Sequence, residues 1–184
     1  MASEKSQLKR ELRRAVRESI RANPPGDGAA VRMEVAAWLE NRPDLRVIAS
    51  YAAMPDEVDL LPLVAIFPDR RWVFPRVEGD DLALHQVADA VRDLATGAFG
   101  IREPITTAPV VPAGEVDVFL CPGLAFDQRG GRLGRGKGFY DRLLAPARPT
   151  ALRIGVCHPL QRVADTYPEP HDIAMHRVFD GEGA

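Results

Sequence analysis

Cysteine is nearly missing from this 184-residue chain, which has only Cys121 and Cys157. Two thiols cannot build a disulfide scaffold, and both lie in apolar runs typical of buried thiols, so the expected setting is a reducing cytoplasm. An excess of one charge is also lacking. Lys and Arg number 24 against 26 Asp and Glu, a formal net charge of −2, which argues against a dedicated nucleic-acid or membrane-surface binder. No apolar run approaches the roughly 18–20 residues of a membrane span, and the charged N-terminal segment carries no apolar signal core. The four histidines, His85, His158, His171 and His176, show no zinc-like spacing with the cysteines and read as surface or satisfied core residues. There is no repeat period and no low-complexity linker. What remains, 46% hydrophobic and 27% charged, is an ordinary globular composition. Its length suits one domain over 1–184, able to bury roughly two-thirds of the surface its unfolded chain would expose.

Helical periodicity marks Ser3–Ala22, where Leu8, Leu12, Ala15, Val16 and Ile20 form a stripe that ends at Asn23-Pro24-Pro25-Gly26. A second helix follows Asp27, with Val31, Val35, Trp38 and Leu39 inward; Trp38 and Trp72 read as core. Leu45–Tyr51 predicts a buried parallel strand, Glu57–Phe67 a helix containing Pro62, and Arg71–Phe74 and Leu82–Val87 further strands. Val116–Cys121 is the clearest strand and breaks at Pro122-Gly123, and Arg153–Cys157 is the last. Strands alternating with helices predict an α/β domain whose mainly parallel sheet is covered on both faces.

The densest chemistry lies in Gln128–Gly138, QRGGRLGRGKG. Its 11 residues hold five glycines and four cations (Arg129, Arg132, Arg135, Lys137) and no acid. Glycines permit close backbone approach and positive φ, so successive N–H groups can converge on an anion that the cations neutralise. The helical residues Phe139–Leu144 follow, and the preceding strand aims the loop at the carboxyl edge of the sheet, where open α/β folds bind ligands. A flexible solvated basic loop is the plain alternative, but alternation of Gly with Arg and Lys is not needed for flexibility. Gly131-x4-Gly136-Lys137 matches most of a Walker A loop, yet Gly138 stands where a Mg²⁺-binding Ser or Thr belongs. Gly134-x-Gly136-x-Gly138 lacks the last spacing of the dinucleotide fingerprint.

Gly123-Leu-Ala-Phe-Asp127 followed by Gly131–Asp141, GRLGRGKGFYD, closely resembles the signature of 5-formyltetrahydrofolate cyclo-ligases, also called methenyltetrahydrofolate synthetases. The likeness extends in order to Lys9-Arg10-x-x-Arg13, Met54-Pro-Asp-Glu57-Val-Asp, Phe74-Pro-Arg, Phe99–Pro104 and Asp172. The resemblance implies a single Rossmann-like α/β unit similar to sugar-phosphate isomerases and coenzyme A transferases. It implies ATP-dependent cyclisation of 5-formyltetrahydrofolate to 5,10-methenyltetrahydrofolate, with release of ADP and phosphate. Phe139 stands where the family commonly has Tyr, and Leu60 where Thr is frequent; loss of a hydroxyl at 139 could alter folate contacts.

That chemistry asks for positioning and charge neutralisation rather than a protein nucleophile, and the chain offers no convincing Ser/His/Asp or Cys/His set. The resemblance assigns catalysis to Arg135 and Lys137. It assigns ATP contacts to Lys9, Arg10, Arg13, Arg132, Leu133, Gly134, Arg135, Gly136, Lys137, Gly138, Phe139 and Tyr140. Folate contacts fall to Ala52, Glu57, Phe99 and Arg135–Phe139 (Arg135, Gly136, Lys137, Gly138, Phe139). Mg²⁺, the implied cofactor, falls to Asp141 and Asp172. Each has a plainer reading beside it. Residues 1–22 carry seven cations against three acids, so Lys9 and Arg13 could be a solvated helix face. Asp141 and Glu57 could be first-turn helix acids, Asp172 a turn acid, and Phe99 and Tyr140 core packing. The paired N–H donors of a pterin nevertheless suit one carboxylate such as Glu57.

The expected partners are therefore small molecules, 5-formyltetrahydrofolate and ATP, bound by a monomer without nucleic acid or membrane. A small-molecule kinase could use the same loop and would leave phosphate on its product. A nucleic-acid module is weaker, because the loop lacks interleaved aromatics for base stacking.

Overall fold

The computed structural model describes residues 4–97 and 100–183. Helix α1 (Glu4–Ala22) carries its apolar stripe as expected, with Val16 buried and Leu12 and Ile20 half-buried, although Ala15 faces solvent. The stripe packs on Ala125 and Leu133 beside the glycine loop, away from the main sheet. Helix α2 (Ala29–Glu40) buries Val31, Val35 and Leu39, one residue per turn along one face. Trp38 is half-buried and packs on Phe179 at a 5.5 Å centroid separation, whereas Trp72 is fully interior.

Strand β1 (Val47–Ala49) lies inside the expected Leu45–Tyr51 run. The expected helix over 57–67 shortens to α3 (Pro62–Ile66). Val58 and Leu60 are fully buried at alternating positions of a segment with no helix. Pro62 stands at the start of the helix, where its missing N–H costs nothing. Leu60, at the position where the family often has Thr, therefore fills the core.

Strands β2 (Arg71–Glu78) and β3 (Asp81–Gln86) form an antiparallel hairpin. β2 continues past Pro75 because β1 pairs only with Arg71–Val73, so the proline interrupts no ladder bond on that side. Short strands β4 (Leu94–Thr96) and β5 (Arg102–Pro104) pair with each other. After β6 (Val118–Cys121) comes another small antiparallel pair, β7 (Ala125–Phe126) and β8 (Arg132–Leu133). Helix α4 (Phe139–Leu144), β9 (Leu152–Val156) and β10 (Arg177–Phe179) complete the described elements.

The main sheet has the order β10-β9-β6-β1-β2-β3, parallel throughout except for the edge strand β3. Alternate residues point to opposite faces and both are covered. Ile48, Val118 and Leu120 join α2 and α3 in one core, while Ala49, Phe119 and Cys121 join α4 in another. Burial pushes the thiols of Cys121 and Cys157 up to about 12, so both stay protonated and apolar in character. Among the described residues no helix is long and apolar enough to cross a membrane.

Candidate active site

The chain leaves β1 on one side to form β2 and returns on the other side as β6. Between strands whose connections diverge in this way, a crevice opens at the carboxyl ends. Residues following β1 (Tyr51, Ala52, Met54, Glu57) and β6 (Pro122, Gly123) line one cavity there, of about 450 Å³. A second cavity, of about 630 Å³, opens between the glycine loop, α1 and the 169–172 segment. Arg132, Gly134, Lys137, Gly138 and Asp141 line both, so the loop is their shared wall.

The loop is a built object rather than a flexible one. Asp127, 1% exposed, accepts hydrogen bonds from the N–H groups of Arg129 and Gly131 (both 2.9 Å) and of Thr166 (3.1 Å), and from the Thr166 hydroxyl (2.7 Å). A Cβ at Gly131 would lie 2.2 Å from Thr166 Oγ1 and 2.4 Å from Asp127 Oδ2, so glycine is obligatory there. Gly136 and Gly138 have φ of +105° and +68°, which turns the chain through the wall and into α4. Arg13 Nε donates to the Gly134 carbonyl (2.9 Å), tying α1 to the loop. The buried Arg132 guanidinium donates to Asp141 (3.0 Å) and lies 5.3 Å from the Tyr140 ring centroid. Its Nε has no hydrogen-bond partner among the described residues, an unspent donor at the wall.

The first cavity is mostly apolar, with Tyr51, Pro75, Val77, Leu82, Phe139 and Tyr140 around it. Ala52, Glu57, Arg135, Lys137, Gly138 and Phe139, all expected at folate, line it; Gly136 lines only the second cavity, and Phe99 lies outside the described residues. Glu57 Oε2 accepts the Met54 N–H (3.0 Å), leaving Oε1 toward Arg135 (3.2 Å). Burial raises the Glu57 pKa, opposed by the Met54 bond and the Arg135 charge. Burial likewise lifts the Tyr140 phenol well above its usual range, so it remains a neutral wall. Phe139 packs its ring between Lys137 Nζ (5.8 Å from the centroid) and the Arg142 guanidinium (5.5 Å). The aromatic face makes these contacts, and a tyrosine hydroxyl is not needed for them.

The second cavity is polar. Lys9, Arg10, Arg13, Arg132, Leu133, Gly134, Gly136, Lys137 and Gly138, all expected at ATP, line it; Arg135, Phe139 and Tyr140 line the apolar cavity instead. Lys9 is buried and bridges Glu169 (2.9 Å) and Asp172 (2.5 Å). Burial works against its charge, but these two carboxylates prevail and raise its pKa. Asp172 accordingly stays below the usual carboxylate range despite its own burial, through Lys9 and the Glu169 N–H. Asp141 lines both cavities and Asp172 the polar one; ligand atoms of Glu169, His171 and Asp172 lie within 4.8 Å of one another.

Several lining residues were not among the expected contacts. Tyr51, Pro122 and Gly123 follow strand ends, Arg17 adds a cation to the apolar cavity, and Glu169 and His171 flank Asp172. Arg102 and Glu103 reach the apolar cavity from β5, a strand too short to show a period.

A model of the 5-formyltetrahydrofolate cyclo-ligase family matches residues 1–180. The chain is 35% identical to the 5-formyltetrahydrofolate cyclo-ligase of Mycolicibacterium smegmatis over 95% of this chain and 92% of that protein. The solved structure of Aquifex aeolicus 5,10-methenyltetrahydrofolate synthetase superposes with a TM-score of 0.81 at 32% identity, covering 96% of this chain and 91% of that one. The 5,10-methenyltetrahydrofolate synthetase of Mycoplasma pneumoniae shares the fold, with a TM-score of 0.76 at 22% identity over 95% and 99% of the two chains. With a whole-chain match and a shared fold, the chain belongs to the 5-formyltetrahydrofolate cyclo-ligase family.

Proposed function

We propose that the reaction of this family member, ATP-dependent cyclisation of 5-formyltetrahydrofolate to 5,10-methenyltetrahydrofolate, runs across the glycine-loop wall. Folate occupies the apolar cavity and the triphosphate of ATP the polar one. One observation carries this reading: a single cationic loop forms a face of both cavities, with Lys137 and Gly138 on each side. Donor and acceptor can then meet without any protein nucleophile between them.

A formamide oxygen is a poor leaving group. Its attack on the γ-phosphorus forms a P–O bond and breaks the bond to ADP, which departs with that electron pair. The carbon, now bonded to a phosphate ester oxygen, becomes electrophilic. N10 adds to it and closes the five-membered ring. The C–O bond then breaks, phosphate leaves with the electrons, and the N10 proton is lost to solvent. Lys137 and Arg132 neutralise charge on the transferring phosphoryl, and backbone N–H groups around Gly136 and Gly138 supplement them. Arg135 adds its charge to that of the transferring phosphoryl from the folate side, beside Glu57. Glu57 accepts the paired pterin N–H donors, and its burial strengthens that recognition.

Mg²⁺ fits the donor set of the polar cavity. Asp172, with Glu169 and His171 close by, and Asp141 on the loop side present hard carboxylate oxygens to this cavity, Asp172 now bridged by Lys9 and Asp141 by Arg132. Mg²⁺ typically takes only one or two carboxylates plus phosphate oxygens and water. Asp141 and Asp172 would hold it, and it would supply further neutralisation of phosphate charge.

The test is a product balance with purified chain, 5-formyltetrahydrofolate, ATP and Mg²⁺. ADP, inorganic phosphate and the methenyl chromophore must appear in equal amounts. ADP without free phosphate would refute cyclisation in favour of a kinase.

A further inference from the structure

We infer that Asp56 is a positioning residue that holds the Arg135 guanidinium beside the reacting centre while substrate occupies Glu57. The inference rests on the functional reading above and concerns a residue that lines neither cavity.

Arg135 projects from a backbone flanked by Gly134 and Gly136, the latter at φ +105°. Such a backbone does little to fix a long side chain, so its position must come from elsewhere. It comes from the loop after β1, 78 and 79 residues away. Arg135 Nη2 donates to Asp56 Oδ1 at 2.6 Å and, more weakly, to Glu57 Oε1 at 3.2 Å. The two acids are not equivalent. Glu57 is 8% exposed, opens into the apolar cavity and already has Oε2 engaged by the Met54 N–H. Paired pterin donors would engage both of its oxygens, Oε1 among them. When they arrive, Arg135 must share or surrender that oxygen. Asp56, 19% exposed and outside the cavity, keeps the shorter contact and has no competing ligand. A charge-assisted bond at this length restricts the guanidinium to a small arc beside Glu57. Without Asp56, a bound folate would leave Arg135 with no anchor, and its charge would swing away from the developing phosphoryl charge.

The experiment compares Asp56→Asn, Asp56→Ser and Asp56→Glu with the parent chain, with and without Arg135→Ala. Misplacing a catalytic group by about 1 Å can cost on the order of 100-fold. Asp56→Asn and Asp56→Ser should therefore lower kcat roughly 10- to 100-fold while the KM for ATP stays within about twofold. Asp56→Glu should recover most of the loss. In the Arg135→Ala background Asp56→Asn should cost nothing more, since the two act as a unit. Arg135 side-chain N–H resonances, read by NMR with 5-formyltetrahydrofolate bound and ATP absent, should regain fast rotation in Asp56→Asn. Wild-type kcat in Asp56→Asn, an equal loss in the Arg135→Ala background, a fall in unfolding midpoint that accompanies the loss, or unchanged Arg135 resonances would each overturn the assignment. Absence of methenyl product from the parent chain would refute the functional reading instead, and the NMR result would still decide the role of Asp56.

Discussion

Replacing Asp127 with alanine would remove the post on which the glycine loop hangs. The carboxylate accepts four hydrogen bonds, and those from the Gly131 N–H, the Thr166 N–H and the Thr166 hydroxyl are buried. Each buried donor left without a partner costs about 1–3 kcal/mol. Three of them place the loss at about 3–9 kcal/mol, a large fraction of the 5–15 kcal/mol typical of a folded domain. Asp127→Asn should cost less, about 1–3 kcal/mol: its oxygen still serves one side of the site, while its NH2 faces the Thr166 N–H, a donor against a donor. Urea unfolding at neutral pH reads both values. The pH dependence adds a signed check. Burial by itself would raise the Asp127 pKa, but the bonds from Thr166, Gly131 and Arg129 prevail and hold it below its ordinary 3.8. A depressed folded value contributes stability above the unfolded pKa, and that stability disappears as pH falls through the folded one. The gap between wild type and Asp127→Asn should therefore narrow on acidification below about pH 4. A loss under 1 kcal/mol in Asp127→Ala, or a gap that widens in acid, would refute the reasoning.

Lys137→Ala and Arg135→Ala should each lose most turnover, about 100-fold or more, because charge on the transferring phosphoryl goes uncompensated; single-turnover ADP formation checks this, and wild-type rates would contradict it. Glu57→Gln should raise the KM for folate much more than that for ATP. Because burial lifts the Glu57 pKa above its ordinary 4.5, folate KM in the wild type should rise as pH falls through that elevated value, and the rise should vanish in Glu57→Gln. Asp141→Asn should shift the Mg²⁺ requirement upward by about tenfold, measured by titrating turnover against the metal; an unchanged titration would remove Asp141 from the metal site.

Helix α2 was legible because Val31, Val35 and Leu39 recur at one residue per turn, and β6 because an unbroken apolar run stops at Pro122-Gly123. The 57–67 segment misled because it is one nearly continuous apolar run in which the period changes: Val58 and Leu60, two apart, are both buried, and the helix begins only at Pro62. Contact with the core resolved it. Strands β4, β5, β7, β8 and β10 span two or three residues each, too few to show a period. In the site, the glycine loop was visible as spacing and charge. That Asp127 is its anchor was not, because Thr166, which completes the anchor, lies 39 residues on.

What the sequence determined by itself was local. It set the α/β alternation, the glycines that permit positive φ at 136 and 138, and the density of cations between 129 and 137. These are properties of neighbouring residues, set by sterics and short-range period. The tertiary structure decided which charges meet. Lys9 lies between Glu169 and Asp172, 160 and 163 residues away, and Arg135 joins Asp56 and Glu57 across the strand order. Such pairs form only once β1 and β6 lie side by side and α1 folds over the loop. The division of one cationic segment between an apolar cavity and a polar one therefore arises from packing, not from any spacing along the chain.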